Sequence, residues 1–274
     1  MVRVEDQELL RAYDSQLREA SEFSTATAVR RDGPLWIGRY GDRGHVSYRD
    51  LQGLSGDELE SLVARTVQGF LDDPRLSQGE WKTRGHDLPS DLPEVLVAAG
   101  FVPEPRETVM VGEAEGVAAL AHDSLPDEVE VLRVDQRPDA ERWVLAAARM
   151  QHAVFGSGPE PDEALAGQDA RAEGEEFWVA RVGTDVVGAG RVQRVAGTEF
   201  ASLWGGAVDP AWRGRGLYRA LASGRAKAAA RAGARYLHSD CSDMSRPILE
   251  RAGLRPITTT TPYVWTRAGT VRDG

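Results

Sequence analysis

Lysine and cysteine are scarce in this chain of 274 residues, and long apolar runs are absent from it. Cys241 is the single cysteine, so the sequence excludes an internal disulfide and offers no spaced cysteines for a metal. No apolar run approaches the ~18 residues that a membrane-spanning helix needs. The first residues are acidic and lack the apolar stretch of a signal peptide. We therefore predict a cytoplasmic protein without a metal and without a membrane partner.

Basic residues are fewer than acidic residues, and the formal net charge is −10. Lys82 and Lys227 are the only lysines, so nearly all basic residues are arginines. Nucleic-acid binding draws much of its affinity from neutralised phosphates, and this charge balance argues against such a partner. Residues 211–235 are an exception, because they hold several basic residues and no Asp or Glu. That basic segment keeps nucleic-acid binding as an alternative function.

A glycine-rich stretch lies at the start of that basic segment. It follows an apolar segment ending at Val208 and a turn at Pro210, and it reads Arg213-Gly-Arg-Gly216-Leu-Tyr218 before a helical pattern begins. The first amides of a helix lack partners, and together with the helix dipole they attract anions. The glycines leave room for an anion to approach, so the stretch predicts a diphosphate site. A tight turn that needs positive φ is the alternative explanation of the glycines.

These residues resemble the R-x-x-G-x-G/A acyl-CoA signature of the GNAT acetyltransferase superfamily. The order strand, loop, helix, strand, helix, strand around them is similar to that family as well. The resemblance implies an α/β (α+β) GNAT fold with a mixed central sheet flanked by helices, and acetyl-CoA as cosubstrate. Tyr218 departs from the signature, because a small residue is expected there. The residues that the resemblance assigns to acyl-CoA binding are Ala207, Val208, Arg213, Gly214, Arg215, Gly216, Leu217 and Tyr218.

Alternating and helical patterns extend over the whole chain. In the first half they predict a hairpin (36–40 and 45–48), a helix from Ser55, strands at 80–84 and 107–111, and a short helix at 92–99. Residues 112–128 show little periodicity and are predicted to be a connection. In the second half they predict strands at 129–134, 176–181, 186–192, 199–208, 235–240 and 257–266. Helices are predicted after Asp139, which we expect to cap its helix, after the glycine-rich loop, and at 245–252.

An internal repeat relates the two halves. Leu96-Val-Ala-Ala-Gly100-Phe-Val-Pro103 matches Leu249-Glu-Arg-Ala-Gly253-Leu-Arg-Pro256 in the positions of Gly and Pro. The chain thus resembles a tandem GNAT protein, and coincidence of two helix ends is the alternative. We predict a degenerate GNAT-like domain at 1–117, a linker at 118–128 and a catalytic GNAT domain at 129–274. The first copy is called degenerate because its equivalent loop, 49–55, lacks the R-x-x-G pattern.

The resemblance implies direct attack of an amine on the thioester in a ternary complex. Such a transfer uses a group that donates a proton to the leaving sulfur and a group that accepts one from the amine. Many relatives carry the donor tyrosine four residues before the glycine that ends the late helix, but Leu249 stands there and cannot donate. Tyr263 is a candidate donor, with a half-buried strand aromatic as the alternative. Cys241 as an acyl-carrying thiol is disfavoured, since the family forms no such intermediate.

Asp240 is the candidate proton acceptor. It alternates with His238 along a predicted strand, so both side chains face the same side. Capping of the next helix is the alternative role for Asp240. Acidic residues crowd 160–176, where they form either a rim that attracts a cationic amine or a solvated face. We predict an N-acetyltransferase for a primary amine of a small molecule, with a non-catalytic acyl-CoA-binding module as the alternative; nothing in the sequence indicates an oligomeric state.

Overall fold

The computed structural model describes residues 4–119, 125–156 and 174–268. The chain divides into two compact units: unit 1 comprises the residues up to Val109 and from Ile257 onward, and unit 2 comprises Met110–Pro256. Each unit combines helices with a mixed sheet, which confirms the predicted α/β class. Among the helices of the described ranges, none has both the length and the apolar character that crossing a bilayer demands.

Helices and strands follow one another along the described chain, with short 3-10 helices at Glu19–Phe23 and Pro210–Trp212. In chain order they are α1 Val4–Gln16, β1 Ala28–Asp32, β2 Leu35–Tyr40, β3 Arg43–Ser47, α2 Gly56–Asp72, β4 Gln78–Arg84, α3 Leu92–Ala98, β5 Val102–Pro103, β6 Glu107–Glu113, α4 Ala114–Ala119, β7 Val129–Arg133, α5 Ala140–Phe155, β8 Glu175–Val182, β9 Asp185–Arg194, β10 Phe200–Val208, α6 Leu217–Arg231, β11 Tyr236–Cys241, α7 Arg246–Arg251 and β12 Arg255–Thr266.

The sheet of unit 1 has the strand order β1-β2-β3-β4-β12. The predicted hairpin is confirmed, because β2 and β3 pair in antiparallel register. β4 is parallel to β3 and antiparallel to β12, with Trp81 opposite Tyr263. Trp81 is fully buried at the centre of a core that α2 and α3 cover with residues such as Leu62 and Leu96.

The sheet of unit 2 has the order β11-β10-β9-β8-β7 and carries helices on both faces. Successive strand residues point to opposite faces, so Val179 packs in a cluster with α5 and Ala180 in a cluster with α6. β10 and β11 are the parallel pair, and their ladder runs only from Phe200 to Ser202 of β10. Beyond that point β10 continues to Val208 while β11 diverges from it.

Each unit includes a strand segment from the other half of the sequence. The end of β6, from Met110, belongs to unit 2 and neighbours β11, whereas β12 from Ile257 belongs to unit 1 and pairs with β4. The predicted domains, by contrast, are consecutive segments of the chain. Assigning a degenerate role to 1–117 and a catalytic role to 129–274 stays a prediction.

Two local expectations are corrected. Helix α4 occupies part of the stretch 112–128 that was predicted to be an irregular connection; its small residues have no helical period, but Ala114 and Val117 are buried in the core of unit 2. Asp139 does lie at the N-cap position of α5, yet its side chain caps no helix amide. Its carboxylate instead accepts hydrogen bonds from the Trp143 indole at 2.9 Å and from Arg137 at 3.2 Å.

Candidate functional site

A cavity of about 620 Å³ opens in unit 2 beside the part of β10 that β11 has left. Its walls come from the end of α5, from β10, from the glycine-rich loop with the first turn of α6, and from the residues around the start of α7. This volume is in the usual range for a small-ligand site. The predicted binding residues that line it are Ala207, Val208, Arg213, Gly214, Gly216, Leu217 and Tyr218.

The glycine-rich loop has a backbone that suits an anion. Gly214 and Gly216 have φ values of +77° and +81°, and Gly216 is the N-cap of α6. Both values lie in the left-handed region that favours glycine. In the described part of the chain, the amides from Gly214 to Tyr218 have no backbone acceptor. The loop therefore presents a run of donors at the positive end of a 15-residue helix.

Two arginines of the loop brace it from within. The Arg213 Nε donates to the carbonyl of Val208 at 3.3 Å, which ties the loop to the end of β10. The Arg215 guanidinium lies 4.7 Å from the ring centre of Trp212. Arg215 was predicted to bind the cofactor but is not among the cavity-lining residues, whereas Arg219 and Arg251 are. Phosphate contacts by Arg213 and Arg215 stay predictions.

β10 carries a bulge at the wall of the cavity. Its register with β9 shifts between Trp204 and Ala207, and Gly205 has a φ of +58°. The side-chain amide of Gln151, from α5, donates to the Gly205 carbonyl at 2.5 Å. Neither residue was predicted as part of a site, and a lone Gly-Gly pair in a strand was the only signal of a bulge.

The side chain of Tyr218 is an unpredicted feature of the cavity wall. Its phenol lies close to Ser245 and to the buried Arg225. Burial raises the pKa of Tyr218, while the Arg225 guanidinium acts in the opposite direction. From the sequence, Tyr218 was assigned to acyl-CoA binding, at a position where the signature expects a small residue. Its hydroxyl lies against Gly206 of β10, where a Cβ would be 2.9 Å from the oxygen.

Asp240 and His238 share one side of β11, as predicted. The Nε2 of His238 lies 3.1 Å from Oδ1 of Asp240, and its Nδ1 lies 3.2 Å from Oγ of Ser202. All three side chains are nearly inaccessible to solvent. Asp240 does not cap α7, whose N-cap position is taken by Ser245. These groups form a buried polar chain in unit 2 and are not among the residues that line the cavity.

The other candidates are not among the residues that line the cavity. Tyr263 belongs to unit 1, where it is 8% exposed within the core, which supports the alternative of a half-buried strand aromatic. Leu249 and Cys241 are buried in the core of unit 2. The described residues contain no cluster of His, Cys, Asp or Glu that could hold a metal. Of the acidic stretch 160–176, residues 160–173 lie outside the described ranges, and Glu175 and Glu176 pair with Arg191 and Arg133.

Comparison with known proteins agrees with this geometry. Residues 140–253 match the model of the acetyltransferase (GNAT) family, and this segment contains the glycine-rich loop and the cavity walls. No curated protein sequence is significantly similar to the chain.

Solved structures share the fold across nearly the whole chain. A GCN5-related N-acetyltransferase from Kribbella flavida is 18% identical with a TM-score of 0.63, covering 93% of this chain and 98% of that one. A tandem GNAT protein from the clavulanic acid biosynthesis pathway is 12% identical with a TM-score of 0.63, covering 92% and 88%. A conserved protein of unknown function from Staphylococcus epidermidis is 12% identical with a TM-score of 0.64, covering 88% and 94%. These likenesses confirm the predicted fold.

Proposed function

Because residues 140–253 match the model of the acetyltransferase (GNAT) family, we propose that unit 2 binds acetyl-CoA in its cavity and transfers the acetyl group to a primary amine of a small molecule. The observation that carries this proposal is the run of backbone amides from Gly214 to Tyr218, which have no backbone acceptor in the described residues. They supply the donors that a diphosphate accepts from, at a helix start that favours negative charge.

The free side of β10 supports the placement of the rest of the cosubstrate. On one side Ala207 and Val208 pair with β9, opposite Ala189 and Gly188. Their other side faces the region that β11 has left. Apart from the Val208 carbonyl, which accepts from Arg213, main-chain groups on that side are available to an extended ligand. In the family that this chain resembles, the pantetheine arm occupies that place. With the diphosphate at the loop, the arm extends along β10 from Val208 towards Gly206.

The transfer needs only a few steps once both substrates are held. The amine nitrogen attacks the carbonyl carbon, the C–N bond forms, the C–S bond breaks, and the electron pair leaves on sulfur. Orientation of the two reactants can lower the barrier by ~7–11 kcal/mol in well-aligned systems.

We assign Asp240, next to His238, as the acceptor of the amine proton. Asp240→Asn tests this assignment, because an amide cannot take the proton while the shape is kept.

A non-catalytic acyl-CoA-binding module is the second candidate, and Leu249 favours it. This residue stands where many relatives carry a proton-donating tyrosine, and it is 1% exposed in the core of unit 2. Thiol release from acetyl-CoA with a panel of primary amines separates the two functions. Amine-dependent release supports the enzyme. Binding of acetyl-CoA in a calorimeter without release for any amine supports the module, and no binding to the folded chain overturns both.

A further inference from the structure

Arg225, on α6, is a buried cation. The residue is 1% exposed, and in the described part of the chain no carboxylate pairs with it. Its Nε donates to the Leu221 carbonyl at 3.1 Å and its Nη1 to the Arg191 carbonyl at 3.2 Å. A guanidinium buried in this way is costly, since neutral acceptors compensate poorly for lost water. Its remaining side-chain partner is the phenol of Tyr218.

The neighbouring Arg225 guanidinium restricts what the phenol can do. A guanidinium can only donate, so the phenolic oxygen of Tyr218 is the acceptor in any contact with Arg225. The phenolic proton is then directed away from Arg225, to the side where Ser245 and the cavity lie. A hydroxyl that accepts from a buried cation is a strengthened donor, because the cation stabilises the negative charge that develops on its oxygen.

Two glycines make room for this pair. A Cβ at Gly190 of β9 would lie 2.6 Å from Nη1 of Arg225, and a Cβ at Gly206 of β10 would lie 2.9 Å from the Tyr218 hydroxyl. Neither glycine has a φ in the left-handed region. Their backbones therefore do not require glycine, and space for Arg225 and Tyr218 is what distinguishes these positions.

We propose that Tyr218 is a catalytic residue that donates its phenolic proton to the sulfur leaving from acetyl-CoA, and that Arg225 positions it. This inference rests on the proposed function, which extends the pantetheine arm along β10 towards Gly206, the residue that the hydroxyl touches. As the C–S bond breaks, the electron pair on sulfur takes the proton of Tyr218. The tyrosinate that remains faces Arg225, and it regains a proton from solvent before the next turnover.

The protonation state of Tyr218 suits a donor. Burial raises its pKa, and the neighbouring Cys241 thiol raises it further, while Arg225 lowers it. The net direction is upward from the ordinary value of 10.0, so the phenol is protonated at neutral pH. Activity that requires the phenol is lost as the pH rises above that pKa. Removal of the Arg225 charge raises the pKa of Tyr218 and moves this alkaline loss to higher pH.

The thiol of bound CoA gives a test that needs no acceptor amine. CoA is titrated on the full chain, and the ultraviolet absorbance of its thiolate is followed against pH. In the native chain we expect the bound thiol to ionise below the ~8.5 of an ordinary thiol, since Tyr218 hydrogen-bonds to the thiolate. In Tyr218→Phe we expect it to return to that value, with CoA affinity within about threefold because backbone amides hold the diphosphate.

The second measurement is the steady-state rate of acetyl transfer. It uses the primary amine that supports thiol release from acetyl-CoA. For Tyr218→Phe we expect kcat to fall by about 10²-fold with little change in KM for acetyl-CoA, the size typical of a lost general acid. In Arg225→Met we expect the alkaline fall of kcat, plotted against pH, to move to higher pH. If Arg225→Met does not fold, Gly190→Ala is used in its place. Tyr236→Phe, a buried tyrosine on β11, is the matched control with unchanged kcat.

The outcomes distinguish failure of this inference from failure of the proposed function. A bound thiol that ionises at the same pH in the native chain and in Tyr218→Phe, or a kcat unchanged in Tyr218→Phe, overturns the role of Tyr218 alone. A native chain that is folded and binds no CoA overturns the proposed function and this inference with it.

Discussion

The side-chain amide of Gln151 donates a hydrogen bond of 2.5 Å to the carbonyl of Gly205, across 54 positions of sequence. The bond joins the last turns of α5 to the bulge of β10 at the wall of the cavity. It satisfies a carbonyl that the bulge has taken out of the ladder, and it holds the left-handed backbone of Gly205 in place.

Gln151→Leu removes this bond while keeping a side chain of similar size. We expect a loss of about 1 kcal/mol in the free energy of unfolding, as for a typical intramolecular hydrogen bond. We also expect weaker binding of acetyl-CoA, because β10 is no longer fixed at the bulge. Urea unfolding and calorimetry measure the two effects. Gln68→Leu is the control, since Gln68 bonds only to the exposed Asp72 of α2, and an equal loss of affinity there would contradict the role of the bulge.

Gly214 and Gly197 allow a matched test of the loop. Both have a left-handed φ, +77° and +74°, and neither would place a Cβ within 4 Å of another residue. Alanine at either position costs roughly 1–2 kcal/mol of backbone strain. Only Gly214 lines the cavity, so we expect Gly214→Ala to weaken acetyl-CoA binding at least tenfold and Gly197→Ala to leave it unchanged. Equal affinities of the two variants would argue against an anion at the loop.

Glu22 makes the stability of unit 1 sensitive to acid. Burial raises its pKa, but Arg84, whose Nη2 lies 2.6 Å from Oε1, together with His45 and Lys82 lowers it to about 2. Because the folded pKa is below the unfolded one, the carboxylate stabilises the fold above about pH 4.5. That contribution, on the order of 3 kcal/mol, is lost as the pH falls towards about 2.

Urea unfolding at a series of pH values measures this loss. In Glu22→Gln the fold is destabilised by about 3 kcal/mol at neutral pH, because Arg84 is left without its carboxylate, and the acid-dependent part of the loss disappears. Glu58→Gln, on the exposed face of α2, should reproduce the native profile. A Glu22→Gln variant as stable as the native chain at pH 7 would refute the assignment.

Leu249→Tyr tests whether the donor position of the relatives can be restored. The native side chain is 1% exposed among small residues of α6 and β11, so the larger ring overpacks the core. We expect a loss of about 1–3 kcal/mol in unfolding free energy and no gain in acetyl transfer. Leu71→Tyr, at a residue that is 44% exposed, controls for the chemical change. Faster transfer in Leu249→Tyr would place the donor at α7 rather than at Tyr218.

The repeating patterns predict most of the local structure correctly. The hairpin of β2 and β3, the strand that leads into the glycine-rich loop, and the helix α6 all lie where apolar periodicity and glycine place them. These features depend on residues close in sequence, so one amino-acid sequence is enough to predict them. The shared side of His238 and Asp240 follows in the same way from the two-residue period of a strand.

Partners distant in sequence were not predictable. A two-residue period identifies β6 and β12 as strands but does not say which sheet each joins. The end of β6, from Met110, and β12, from Ile257, belong to the unit of the other half. The bond from Gln151 to Gly205 depends on tertiary packing alone. Asp139 shows the same limit, since Trp143 and Arg137 compete successfully for a carboxylate that local rules assign to a helix cap.

We propose that main-chain amides of the glycine-rich loop bind the diphosphate of acetyl-CoA. Nitrogen-15 labelling of glycine in the full chain, with Gly214, Gly216 and Gly197 assigned by substitution, tests it directly. On addition of acetyl-CoA, we expect the amide resonances of Gly214 and Gly216 to move in a saturable way while that of Gly197 stays in place. Saturable binding of acetyl-CoA that leaves both loop resonances unmoved would contradict binding of the diphosphate by the loop amides.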